Sequence, residues 1–170
     1  MDSFLYSLAY SVRRSRGTGE ARLKDIPPDK WTAMPSGLNH PAWILGHLAL
    51  SYDDCVAMSR GEVWDEVPKN DPLFDGGTFP VADPAKYPGK DEMVAEFLSG
   101  HDRMLSALGA ADPAVTSMHL PERPTVTYGA MLMHLMIDHV WHHLGTLSAW
   151  RKAAGLPTVC PLVPYPNKSR

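Results

Sequence analysis

The sequence has little cysteine. Cys55 and Cys160 are the only two in 170 residues, and they form neither a C-x-x-C pair nor a disulfide framework. That usage fits a reduced, cytoplasmic protein. Positive charge is also scarce. Sixteen Lys and Arg against nineteen Asp and Glu leave a net charge of −3, which argues against a nucleic-acid surface. No stretch approaches the roughly 20 apolar residues that span a bilayer. The first residues lack the basic flank and continuous apolar run of a signal peptide. Internal repeats and convincing strands are missing too. With 44% hydrophobic and 21% charged residues the composition is that of an ordered soluble protein. The length suits one domain over residues 1–170 with a substantial core.

Histidine, methionine and proline are plentiful instead, at 8, 9 and 16 residues. The prolines fall mostly between helical patterns. Residues 3–17 place Phe4, Leu5, Leu8, Ala9 and Val12 on one stripe, with weaker helical character continuing until Pro27 and Pro28. Trp31 is a candidate core anchor in the extended connector that follows. A second helix is predicted from Asn39, as N-cap, to about Arg60, with Trp43, Ile44, His47, Ser51, Asp54 and Met58 on one stripe. From 61 to 89 periodicity fails. Trp64, Leu73, Phe74, Phe79 and Tyr87 predict a loop packed against the domain rather than a linker. A third helix covers residues 91–108. A fourth starts at Thr125 or Thr127 and stops at Gly155, with an extended tail docked beyond it. The pattern predicts an all-α four-helix bundle with a long crossover between helices 2 and 3.

The fourth helix carries four of the histidines. His139 and His143, four residues apart, share a face that is otherwise apolar. Two imidazoles there are costly to desolvate unless they find partners. They are either ordinary core histidines bonded to hydroxyls or backbone, or two ligands of one metal ion. His47, in the middle of the inward face of the second helix, offers a third imidazole. Three histidines with an open position form a catalytic divalent-metal site. On a 3.6-residue wheel His134 lies about 140° from His139 and faces elsewhere, while His142 lies about 60° aside. His40 reaches toward a pocket mouth, His119 sits in a loop, and His101 lies on the apolar stripe of the third helix. Val140 occupies the position where H-E-x-x-H proteases keep their glutamate, which disfavours proteolysis. Ser51 and Asp54 are the candidate bases. The back of the fourth helix (Met133, Ile137, Trp141, Leu144) is apolar, so it is either central in the bundle or a subunit interface.

Asn39-His-Pro-Ala-Trp-Ile-Leu-Gly-His47-Leu-Ala together with His139-Val-Trp-His-His143-Leu-Gly145 resembles the DinB/YfiT-like family of metalloenzymes. The likeness extends over nearly the whole chain, through the Pro/Gly-rich middle to the Trp-Arg-Lys-Ala-Ala-Gly-Leu-Pro ending. It implies one divalent ion, nickel or zinc, held by His47, His139 and His143, and often a homodimer. The resemblance further implies a transferase in which the metal activates a low-molecular-weight thiol against a small electrophilic substrate. On that reading the substrate is held near Trp43, Met58 and the middle loop. Two alternatives stand beside it: a metal-dependent hydrolase, and a non-catalytic metal-binding stress-response protein. Water, His101 or Asp54 would fill the fourth coordination position.

Overall fold

The computed structural model of the protein describes residues 2–62 and 71–159, so Trp64, Cys160 and the tail from residue 160 lie outside the described residues. The described residues form an all-α bundle with one small hairpin. The first helix, α1 (Ser3–Leu23), is capped by Asp2, whose carboxylate accepts from the Phe4 and Leu5 N–H groups. It continues past residue 17 through the stretch expected to be weakly helical, where Thr18, Gly19 and Leu23 are buried in the bundle, and ends before Pro27. Trp31 is buried, as expected of an anchor. Short 3-10 turns at Pro28–Lys30 and Pro35–Gly37 interrupt the connector read as extended.

The second predicted helix is two helices, α2 (Pro41–Ala49) and α3 (Tyr52–Ser59). The break at Leu50 and Ser51 has a tertiary counterpart. Tyr52 is buried against α4 (Lys90–Ala110), where Gly100 makes room: a Cβ there would stand 2.1 Å from the Tyr52 ring. The single stripe from Trp43 to Met58 is therefore interrupted. Met58 is fully buried in the core, which removes it as a substrate contact. The α4 helix buries Met93, Phe97, His101, Met104 and Leu108 at the expected spacing, against α1, α2 and α3.

A hairpin follows where no strand was predicted: β1 (His119–Leu120) pairs antiparallel with β2 (Arg123–Thr127). Strands this short, one containing Pro124, carry no readable alternation. Thr127 caps the last rod through the Ala130 N–H at 3.1 Å. That rod is α5 (Tyr128–Met133), a π-helical segment (His134–His139) and α6 (Val140–Ala153). Gly155, at φ +73°, terminates it. The apolar back of the rod lies against α1, where the Trp141 indole donates to Ser11 Oγ at 2.9 Å and Leu144 is buried. This coverage accounts for most of the apolar face without a partner subunit, leaving Met133 44% exposed.

His101 is fully enclosed between α4 and α1. Its Nδ1–H donates to Phe97 O at 2.7 Å and its Nε2 meets the Ser15 hydroxyl at 3.2 Å. Burial, with a smaller push from the Arg16 charge, lowers its pKa from 6.5 to about 4. Between those values the unfolded chain binds a proton that the folded protein does not. The contribution of His101 to stability is thus full above pH 6.5, declines as pH falls toward about 4, and levels below. The size is roughly 3 kcal/mol. Urea unfolding from about pH 8 to about pH 4 should show a His101→Gln variant less stable at neutral pH, with the gap to wild type closing by roughly that amount on acidification. A gap independent of pH would refute a buried neutral His101.

Candidate metal centre

The α2 helix begins at Pro41, whose missing N–H has no helical partner to lose. Its N-cap is His40, not Asn39. The His40 Nδ1 accepts from the Trp43 N–H at 3.1 Å, and its Nε2–H donates to Val81 O at 3.2 Å. His40 is completely buried and structural, so it does not reach a pocket mouth. One turn on, Trp43 stacks on His47 with ring centroids 4.7 Å apart and planes 10° from parallel.

The three predicted histidines come together. Ring centroids are 4.9 Å apart for His47–His139 and His47–His143, and 4.7 Å for His139–His143. One nitrogen from each ring lies within 4.8 Å of the other two. His143 is 7% exposed, while His47 and His139 are half-buried, which leaves the cluster reachable from solvent. The His47 Nδ1–H donates to Phe74 O at 2.7 Å, so the neutral ring keeps its lone pair on Nε2. That Nε2 stands 2.9 Å from the Nε2 of His139. A carbonyl-bound Nδ1 on His47 makes His139 Nε2–H the donor in this pair. His139 Nδ1 is left buried without a partner, as is His143 Nδ1.

Burial is the main cause holding His139 at about 4 and His143 at about 3, with like charge on the neighbouring imidazoles adding to it. Both rings are therefore neutral at pH 7, the form that ligates metals. The geometry fits a divalent ion. Nitrogens about 2.05 Å from a tetrahedral metal are about 3.3 Å apart, a spacing between the 2.9 Å that separates the His47 and His139 nitrogens and the 4.8 Å that bounds the set. An all-imidazole donor set suits zinc, nickel, copper or iron rather than calcium or magnesium.

The π segment corrects the placement of His134. A 3.6-residue wheel turns it away from His139, but hydrogen bonds spaced i to i+5 stack residues five apart. The His134 and His139 rings lie 6.2 Å apart and nearly parallel. His134 is exposed, as is His142, whose ring is 5.0 Å from His143. Together they flank the three-histidine cluster on its solvent side. Among the described residues the cluster contains no carboxylate, so Asp54 is not a member, and neither is His101. The middle loop contributes unevenly to packing: Tyr87 is buried and Phe74 packs against the core, whereas Phe79 is 90% exposed, contrary to expectation. Two contributors escaped the sequence reading. The carbonyl of Phe74 has no side-chain signature, and Thr78, which accepts the Trp43 indole N–H at 3.0 Å, is one of many loop hydroxyls.

No curated protein and no solved structure matches the chain. A family model described as the DinB superfamily matches residues 12–147, which include α2, the π segment and all three clustered histidines. The chain belongs to the DinB superfamily.

Proposed function

We propose that the protein is a metal-dependent transferase in which His47, His139 and His143 hold one zinc or nickel ion. A low-molecular-weight thiol is joined there to a small electrophilic substrate. The observation that carries this reading is the triangle of three imidazoles, half-open to solvent and free of carboxylates among the described residues. When bound, the ion would supply a thiolate at neutral pH, since coordination deprotonates a thiol. His139 and His143 need lose no proton to ligate, because burial already keeps them neutral. Trp43 walls one side of His47 and excludes water from that flank. His134 and His142 flank the cluster where a second substrate would approach. In this reading residues 71–89, ahead of α4, cross over the site, and the protein acts as a cytoplasmic homodimer.

The test is turnover of a panel of electrophiles with a panel of small thiols, using the metal-loaded protein, the stripped protein and His143→Ala. Thiol-dependent consumption of an electrophile by the loaded wild type alone is the expected result. Thiol-independent hydrolysis would replace the transferase with a hydrolase. Stoichiometric metal with no turnover across the panel would point to a non-catalytic metal-binding protein.

A further inference from the structure

We infer that the loop residues Asp71 to Val81 form a positioning strap that fixes the ring of His47, and that Thr78 and the bare backbone of Gly46 are its working parts. The inference rests on the metal reading above for its consequence, but its geometry stands on its own. Three ring N–H groups on one face of α2 each bond the strap. The His40 Nε2–H donates to Val81 O, the Trp43 Nε1–H to Thr78 Oγ1, and the His47 Nδ1–H to Phe74 O. As α2 advances by three and then four residues, the strap steps back by three and then four. It therefore runs antiparallel to the helix in a fixed register.

The strap holds its own shape. The Asp71 carboxylate accepts from the Leu73 and Phe74 N–H groups at 2.8 and 2.9 Å, orienting the peptides just ahead of the carbonyl that His47 uses. The Thr78 hydroxyl accepts the indole proton and lies 2.8 Å from Asp75 O and 3.0 Å from Leu73 O, either of which can take its own proton. At the far end the Val81 N–H donates to the Tyr87 hydroxyl at 3.1 Å, and Tyr87 packs edge-on against His40. Phe74 reaches its position only because residue 46 lacks a side chain: a Cβ on Gly46 would stand 2.2 Å from the Phe74 ring.

Two constraints therefore act on one imidazole. The Phe74 carbonyl selects the tautomer with its lone pair on Nε2, the nitrogen that faces His139. The indole of Trp43, itself fixed by Thr78, sets the plane of the ring. Hydrogen bonds of this kind behind a ligating histidine typically govern metal affinity by about 10- to 100-fold.

The test uses Gly46→Ala, Thr78→Val and Thr78→Ser. Zinc and nickel affinities are measured by chelator competition, and the tautomer of His47 is read by long-range nitrogen–proton NMR on the metal-free protein. Gly46→Ala and Thr78→Val should weaken both metals by about 10- to 100-fold, while Thr78→Ser, which keeps the hydroxyl, should stay within about threefold of wild type. The wild-type His47 should carry its proton on Nδ1, and Gly46→Ala should show a mixture of tautomers. Wild-type affinity in both disrupting variants would overturn the inference, as would a wild-type His47 protonated on Nε2. If the wild type bound neither metal, the metal reading would fail, and the tautomer measurement alone would decide the strap. Should a variant be too unstable to titrate, the tautomer of the wild type still decides.

Discussion

Replacing His143 with alanine should weaken zinc or nickel binding by more than about 100-fold, and His47→Ala and His139→Ala should do the same. The bound follows from comparison: losing only an outer hydrogen-bond partner of a ligating histidine costs about 10- to 100-fold, and here the ligand itself is removed. The effect should be local. Truncating one of three crowded imidazoles, whose rings stand 4.7–4.9 Å apart, removes a desolvated group and leaves the apolar packing of Leu144 and Leu147 intact. His134→Ala and His142→Ala are the controls. Each touches the cluster through one ring contact, but neither contributes an atom to the group of three. Their affinities should stay within about tenfold of wild type, below what a ligand would cost. Calorimetric titration of the five variants checks the set. Equal losses for His142→Ala and His143→Ala would move the site to the exposed face of the rod.

Why the histidine triangle could be anticipated and the rest of its surroundings could not is a matter of range. His139 and His143 are separated by one helical turn, and the fold needed only to keep that turn helical for them to share a face. His47 lay on the inward side of a pattern carried by Trp43 and Ile44, and one turn of local regularity again sufficed. The contacts that failed to show in the sequence cross between elements. Just past the end of α2, Tyr52 packs on the bare surface of Gly100, nearly fifty residues away. His134 turned toward His139 because the rod adopts π geometry, and a wheel drawn at 3.6 residues per turn contains no information about that change.

The middle loop teaches a related point. Its apolar residues predict a loop packed against the domain, and Phe74 and Tyr87 do pack, yet Phe79 projects into solvent. Hydrophobicity alone did not separate them. Polar atoms hold the two that pack: the ring nitrogens of His40, Trp43 and His47 set the register of the loop that carries Phe74, and the Tyr87 hydroxyl accepts from the Val81 N–H. A histidine bonded to a main-chain carbonyl is satisfied by a group that every residue possesses, so no spacing of side chains announces it. The same reasoning explains His101, whose place on an apolar stripe looked compatible with ligation. Phe97 O and Ser15 occupy both of its nitrogens.

A stability effect as large as that of His101 is expected at the other end of α6. Asp25→Ala should destabilise the protein by about 3 kcal/mol. Arg151 has a side chain only 2% exposed, and its guanidinium bonds both Asp25 oxygens at 2.6 and 2.9 Å, Arg22 O at 2.6 Å and Pro157 O at 2.8 Å. In turn the guanidinium holds the Asp25 carboxyl below the usual carboxylate range. Arginine cannot shed its proton to escape burial, so removing Asp25 strands a charge. Losses of this kind run to about 3–5 kcal/mol. The lower figure applies because the Asp25 side chain is 47% exposed and water can reach the space it leaves. Replacing both groups, as Asp25→Ala with Arg151→Met, should recover much of the loss, since a buried pair exchanged for apolar side chains is often neutral. A double-mutant cycle by urea unfolding separates the pair from the two carbonyl bonds that Arg151 also makes. A loss below about 1 kcal/mol for Asp25→Ala would mean that those carbonyls alone suffice to hold the guanidinium. Metal affinity of the folded fraction should change little in any of these variants. His143 stands eight residues, about 12 Å, back along the same helix, and the strap's bonds to His40, Trp43 and His47 are made on α2.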